Sequence, residues 1–281
     1  MPYGAFCQQP VSVKTSAMAF SDEELERYAR HIVLREVGGS GQARLAAARV
    51  LMVGAGGLGS PVILYLAAAG VGAIGIVDFD HVALSNLQRQ IAHRSTDIGR
   101  LKTASAGDAA RAINPHVRIE PHPIRLDSGN ALDLIGRYDI VADGSDNFAT
   151  RFLVSDACYL AGKTLVSAAV TEFDGQLATF RAHDRSGNYP CYRCLFPEPP
   201  PPGTAPSCSE TGVLGAAAGV MGTLQALEVL KEILGIGESL AGKLLIYEAL
   251  AARFRNVRVR PDPTCRLCGP QAVIRDLNGH G

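Results

Sequence analysis

Four of the seven cysteines stand in two C-x-x-C pairs, Cys191/Cys194 and Cys265/Cys268. Four thiolates are the donor set of a closed tetrahedral zinc site with no open catalytic position. The long interval between the pairs predicts a structural metal that pins the end of the chain to a distant loop, unlike a zinc finger. Two unrelated redox or buried pairs are the plainer alternative. Cys208 stands alone in a proline-rich stretch ahead of an apolar segment that starts at Gly212. A helix N-terminus there would lower its thiol pKa and make it a nucleophile; otherwise it is a bystander in a mobile loop. The stretch 191–212 reads as irregular throughout, and Cys7 and Cys158 read as incidental.

A second group of residues suits a nucleotide. GAGGLG at 54–59 places Gly54, Gly56 and Gly59 in a G-x-G-x-x-G pattern between an apolar run and a helical one. There the glycines let backbone approach a phosphate, and the helix supplies N–H donors. Asp78 closes the next apolar run, where a carboxylate can take ribose hydroxyls. In the polar run Ser85-Asn86-Leu87-Gln88-Arg89-Gln90, the side chains of Asn86, Arg89 and Gln90 suit phosphate oxygens. Lys102 opens a helix, where a cation opposes the dipole unless its ammonium reaches an anion. Asp146-Asn147 follows another strand, and Asp146 is a candidate magnesium ligand. Asp143 competes for that role, a helix cap is the plain alternative for Asp146, and solvated surface charge is the plain alternative for Arg89 and Lys102. Hydride transfer by a dinucleotide and attack on ATP both fit the glycine turn, but cations and a carboxylate beside it favour ATP.

The elements that must hold these residues follow from periodicity. Ser21 and Glu24 form a capping box for a helix carrying Leu25, Tyr28 and Ile32 on one face and Arg27 and Arg30 on another. Strands are expected at 49–53, 73–77, 117–121, 138–142 and 164–168, with helices from 59 to about 69 and at 101–113, 131–135 and 148–161. This alternation predicts an α/β fold, a Rossmann-like, mainly parallel sheet with helices on both faces. Beyond residue 172, strands at 175–181, 243–247 and 254–259 surround a helix at 212–234, a smaller portion with antiparallel strands. Residues 1–19 read as a flexible tail and 20–281 as one domain. Its nucleotide-binding core spans about 20–170, and a smaller portion with the zinc cysteines about 171–270.

Bulk composition narrows the class. Hydrophobic residues make up 47% and charged ones 19%, enough for a large buried core, and the formal charge is zero. No broad basic footprint points to nucleic acid. The apolar segment 212–227 is too short to span a bilayer and is followed by Glu228, Lys231 and Glu232, so no membrane segment is expected. No secretory signal opens the chain, which suits a reducing cytoplasm.

RYARHI at 27–32, GAGGLGSP at 54–61, DFDHVALSNLQRQ at 78–90, GRLK at 99–102, DGSDN at 143–147 and the paired cysteines resemble the MoeB/ThiF/HesA family. These ubiquitin-activating-like enzymes adenylate the C-terminus of a small sulfur-carrier protein. The resemblance runs from about residue 21 to 269. It implies a homodimer with ATP over the glycine turn, Gly57 and Asp78 on the nucleotide, and Asn86, Arg89 and Lys102 on the phosphates. Asp146 would bind Mg²⁺ and be essential, and Arg30 would enter the neighbouring subunit's site in trans. The carrier would be MoaD- or ThiS-like, serving molybdopterin or thiamine biosynthesis. The cysteine matching Cys208 can bond covalently to the carrier in some members. The chain stops soon after Cys268, so no appended rhodanese domain is expected. An NAD(P)-dependent oxidoreductase is the alternative, and a non-catalytic scaffold for ubiquitin-like proteins is a third reading.

Overall fold

The computed structural model describes residues 20–185, 188–201 and 212–280. Strand β1 (Arg49–Val53) shows how these residues organise it. Val50 and Met52 point into one apolar layer, and Leu51 and Val53 into another. Side chains alternate along a strand, so an unbroken apolar run is buried only if both faces are covered. One cover is made by α3 (Gly59–Ala68), α4 (Lys102–Ile113) and α8 (Gly215–Leu234). The other is made by α5 (Ala131–Gly136) and α6 (Phe148–Leu160).

β1 lies inside an eight-stranded sheet with β2 (Ala73–Val77), β3 (Arg118–His122), β4 (Ile140–Asp143), β5 (Thr164–Thr171), β6 (Asp174–Phe180), β7 (Lys243–Glu248) and β8 (Arg253–Arg258). The order is β3-β2-β1-β4-β5-β6-β7-β8. The first five are parallel and the last three join antiparallel, so the antiparallel portion extends the same sheet. The chain winds outward through β2 and β3 and returns to β4 on the other side of β1. That reversal leaves a crevice beyond the carboxyl ends of β1 and β4, where open α/β sheets bind ligands.

Most expected elements form within a residue or two. Helix α1 (Asp22–Ile32) starts at the capping box, with Glu24 N–H donating to Ser21 Oγ at 3.3 Å and Ser21 N–H to Glu24 Oε2 at 2.9 Å. Of its expected apolar face only Tyr28 is buried; Leu25 is 44% exposed. The strand expected at 138–142 begins at Ile140 instead, because Tyr138 N–H still closes the turn after α5 on Ile135 O.

Two helices depart from expectation. The stretch after Pro190 is not wholly irregular: Tyr192–Leu195 forms one helical turn, α7, with Cys191 at its cap position. Helix α2 (Gly38–Ala47) has no counterpart in the sequence reading, since glycine disfavours helix and this segment holds three. It forms through tertiary contact. Gly41 packs so closely that an added Cβ would lie 3.0 Å from Val37 Cγ1 and 3.2 Å from Leu234 Cδ2, and fully buried Gln42 donates to Ala69 O at 2.9 Å.

Among the described residues no helix is long and apolar enough to cross a membrane. Helix α8 is instead buried with its charges partnered. Glu228 accepts from Thr179 Oγ1 at 3.0 Å and Leu240 N–H at 2.7 Å, and Glu232 pairs with Arg181 at 3.2 Å. Halfway along, Gln225 Nε2 donates to the carbonyls of Asp143 (2.8 Å) and Val166 (2.9 Å), tying the helix to β4 and β5.

Candidate functional site

The glycine turn leaves β1 and enters α3 at the crevice. Gly54 sits at φ +90°, where a side chain would be strained, and its N–H donates to Val77 O at 2.8 Å. An added Cβ on Gly59 would lie 1.9 Å from Gly54 O, so Gly59 is needed for the turn to close upon itself. Gly56 and Gly57 border an open cleft of about 230 Å³.

From the sequence-predicted residues, the structure brings Gly54, Gly56, Gly57, Asp78, Arg89, Lys102, Asp146 and Asn147 to the wall of this cleft, together with Gln90. Asp78 Oδ2 accepts Ala55 N–H at 2.9 Å, so the carboxylate braces the turn from the end of β2. Arg89 folds over Gly57, where an added Cβ would meet its Cγ at 3.4 Å, and it donates to Ser85 O at 3.0 Å. Lys102 is no solvated surface charge: its side chain is 9% exposed, and Nζ lies 2.9 Å from Asp80 Oδ2. Two buried polar atoms of the wall, Gln90 Oε1 and Ser145 Oγ, have no hydrogen-bond partner among the described residues, which suits a polar ligand in the cleft.

Other predicted residues lie elsewhere. Ser85, Asn86, Leu87 and Gln88 do not border the cleft. Asn86 Oδ1 accepts Ala83 N–H at 3.1 Å and closes a tight turn, while the Gln88 backbone packs on Gly215. Gly59 also stays behind the wall. Arg30 is exposed on α1 and does not border its own chain's cleft. Cys208, Cys7 and the tail at 1–19 lie outside the described residues.

The two competing carboxylates separate. Asp143 is fully buried; its oxygens accept Ser145 N–H at 3.0 Å and Ser167 Oγ–H at 3.1 Å. Asp146 is exposed on the cleft wall. It is not the helix cap either, because Asn147 Oδ1 accepts Thr150 N–H at 2.8 Å at the start of α6.

Sequence reasoning missed several wall residues. The Arg125 guanidinium lies over the Phe79 ring at 4.2 Å, and both border the cleft. Arg151 donates to Ser145 O at 2.6 Å, fixing the loop that carries Asp146. Asp80 is readable in hindsight from the DFD run, but nothing near Arg125 or Arg151 marks them. A second cavity of about 220 Å³ shares Asp146, Arg151 and Val170 with the first. Phe148, Phe180, Tyr192, Leu195 and Phe196 give it an apolar lining.

Tyr192 leads to the cysteines. The Sγ atoms of Cys191, Cys194, Cys265 and Cys268 all lie within 4.8 Å of one another, with neighbours at 3.4, 3.4 and 3.8 Å. Zn–S bonds of about 2.3 Å put tetrahedral sulfurs about 3.8 Å apart, so the cluster has the dimensions of a zinc site. Asp262 N–H donates to Cys194 Sγ at 3.3 Å. Among themselves the thiols shift in opposite directions, hydrogen bonds from Cys191 and Cys268 lowering the Cys194 pKa and hydrogen bonds with Cys194 and Cys268 raising that of Cys191. Between the first two cysteines, Arg193 forms a bidentate pair with fully buried Asp156 of α6 at 2.8 Å, and His280 Nε2 reaches the same carboxylate at 2.8 Å. Cys158 is separate: burial pushes its thiol pKa well up, and it is inert.

The model of the ThiF family matches residues 28–267. A sulfur carrier protein adenylyltransferase of Thermus thermophilus is 52% identical over 92% of this chain and 96% of its own length. A SAMP-activating enzyme E1 of Haloferax volcanii is 48% identical over 91% and 93%. The bovine adenylyltransferase and sulfurtransferase MOCS3 is 51% identical over 96% of this chain, which spans 59% of that protein's length. Among solved structures, E. coli MccB with ATP superposes with a TM-score of 0.72 at 22% identity, covering 86% of this chain and 74% of that one, a likeness of fold. These relatives lend no support to the oxidoreductase alternative.

Proposed function

This chain belongs to the ThiF family, and on that premise we propose that it adenylates the C-terminal glycine carboxylate of a small ubiquitin-like sulfur-carrier protein, MoaD- or ThiS-like, at the expense of ATP. The observation that carries the reading is that Gly56, Gly57, Arg89, Lys102 and Asp146 line one cleft at the β1/β4 crevice.

In the proposed reaction a carrier carboxylate oxygen attacks the α-phosphorus, the bond from that phosphorus to the bridging oxygen breaks, and pyrophosphate leaves with the electron pair. The protein does little covalent work. It must align the two substrates and oppose the charge on the phosphates. The Lys102 ammonium has three donors, so it can keep Asp80 and still reach a phosphate oxygen. Arg89, lying over Gly57, presents its guanidinium to the same region. Asp78 holds the turn open for the nucleotide and keeps lone pairs for the ribose. The apolar second cavity suits the carrier's extended tail, since it meets the first at Asp146 and Arg151.

Asp146 would hold magnesium, which neutralises charge on the leaving pyrophosphate. The four cysteines would hold a structural zinc. We further read the enzyme as a homodimer in which Arg30, exposed and not part of its own cleft's wall, completes the partner's site. Cys208 is the candidate thiol for later sulfur transfer, in a reducing cytoplasm, for molybdopterin or thiamine biosynthesis. Carrier-dependent ATP–pyrophosphate exchange with MoaD-like and ThiS-like carriers side by side tests the function and the pathway together. Exchange with neither carrier overturns the reading, and sulfur transfer unchanged in Cys208→Ser removes that cysteine's role.

A further inference from the structure

Ala55, the second residue of the glycine turn, has both of its peptide groups held by side chains. Its N–H donates to Asp78 Oδ2 at 2.9 Å, and its carbonyl oxygen lies 3.0 Å from Nε2 of buried His93. A carbonyl can only accept, so this contact is a hydrogen bond when Nε2 carries the hydrogen. In a planar trans peptide the carbonyl and the following N–H point in opposite directions. Drawing the Ala55 carbonyl toward His93 therefore sets the direction of the Gly56 N–H, on a residue that borders the cleft.

The other face of the ring is also engaged. His93 Nδ1 lies 2.9 Å from Ser105 Oγ, and that hydroxyl lies 2.9 Å from Asp97 Oδ2. Burial opposes the charge on Asp97, yet hydrogen bonds from Ser105, Arg100 and Arg94 outweigh it and hold the group below the usual carboxylate range. Asp97 is thus an acceptor. The single Ser105 hydrogen then has two uses. Given to Asp97, it leaves Nδ1 to donate, and His93 is an imidazolium with hydrogen on both nitrogens. Given to Nδ1, it leaves a neutral ring with hydrogen on Nε2 and turns the hydroxyl's lone pairs toward Asp97 Oδ2 at 2.9 Å, a carboxylate that keeps Arg94 N–H at 3.1 Å and Arg100 at 2.7 Å. Both arrangements keep Nε2–H on Ala55. The remaining neutral tautomer would set two lone pairs against each other at 3.0 Å.

We propose that His93 is a positioning residue of the nucleotide site, its Nε2–H clamping the Ala55 carbonyl so that the turn presents the Gly56 N–H in a fixed direction. The proposal rests on the reading that ATP occupies the glycine turn. Burial lowers the His93 pKa, the Ala55 bond raises it, Lys102 of α4 lowers it, and Asp78 beyond β2 and Asp97 before α4 raise it. The ring gains its second proton below its ordinary range, and above that titration the clamp depends on the neutral ring keeping its hydrogen on Nε2 rather than on Nδ1.

Two measurements on the full chain test this. Nitrogen-15 NMR of the imidazole should show Nε2 protonated from mildly acidic to mildly alkaline pH, with Nδ1 gaining hydrogen only at the acidic end. A resting Nδ1–H tautomer overturns the proposal. Magnesium-ATP titration should show His93→Leu binding roughly tenfold more weakly, the loss of one hydrogen bond. His93→Gln, whose amide can present an N–H where Nε2 stood, should recover most of that loss. Equal binding by His93→Leu and wild type overturns the role of His93 and leaves the nucleotide reading standing. Equal weakness of both variants reduces His93 to a packing residue and also overturns it. A wild-type protein that binds no ATP removes the premise and the proposal with it.

Discussion

Lys102 Nζ and Asp80 Oδ2 form a 2.9 Å ion pair in which the lysine is nearly enclosed and the aspartate is half exposed. The asymmetry gives the pair a direction: Asp80 steadies an ammonium that faces the cleft. Lys102→Met should lower pyrophosphate exchange by at least about a hundredfold, as loss of a charge placed for a transition state does. Asp80→Asn should cost no more than roughly tenfold, because the lysine remains. Comparing kcat/KM for ATP in the two variants checks the order.

Asp146 and Asp143 should fail in different ways. Asp146→Ala should abolish carrier-dependent exchange while the melting temperature stays near that of wild type. Asp143→Ala strips partners from Ser145 N–H and the Ser167 hydroxyl, and should destabilise the fold by about 2–3 kcal/mol in denaturant unfolding. Near-normal exchange in Asp146→Ala would sink the catalytic assignment.

Metal analysis of freshly purified protein should find close to one zinc per chain. Chelation, or Cys265→Ser, should lower the melting temperature, because the cluster joins the segment after Pro190 to the one beyond β8. A chelated protein that melts unchanged would exclude a structural metal.

Arg30 is open to a complementation test. In a two-fold dimer, mixing Arg30→Ala with Asp146→Ala chains forms heterodimers that each contain one site with both residues intact. Two inactive preparations, mixed and allowed to exchange subunits, should recover about a quarter of wild-type exchange. No recovery, with subunit exchange verified, places Arg30 outside the site.

Stability should vary with pH through Glu232. Burial raises its carboxyl pKa above the ordinary value of 4.5, with Ser239 and Arg181 opposing the shift. A carboxyl raised on folding holds its proton longer in the native state. Its contribution to stability is therefore full below the unfolded pKa and is lost as pH rises through the folded one. Glu232→Gln escapes that loss and should melt higher than wild type at pH 7, the gap closing as pH falls toward 4.5. A gap that is constant with pH would show that the side chain's titration is irrelevant.

How much of this was legible in the sequence depends on where the determining contacts lie. β1 and β2 match their expected bounds because both faces are apolar and the run itself carries the signal. The cysteine cluster was readable because metal geometry constrains ligand type and local spacing. Helix α2 was not, since Gly41 and Gln42 make sense only against Val37, Leu234 and Ala69. The cleft divides in the same way. The glycine turn, Arg89, Lys102 and Asp146 lie in compact motifs, whereas Arg125 meets Phe79 from a distant loop. Within motifs, backbone needs hid behind plausible chemistry: Asn86 and Asn147 both spend their side-chain oxygen on a nearby N–H.

Helix α6 begins two residues after Asp146, and about 12 Å along its axis Asp156 is gripped by Arg193 from inside the first C-x-x-C pair. It is a strut with the cleft carboxylate at its tip and the sulfur cluster bolted to its flank. The Arg193–Asp156 pair thus ties the first C-x-x-C turn to the helix that follows the cleft carboxylate, so one element joins the sulfur cluster to the cleft.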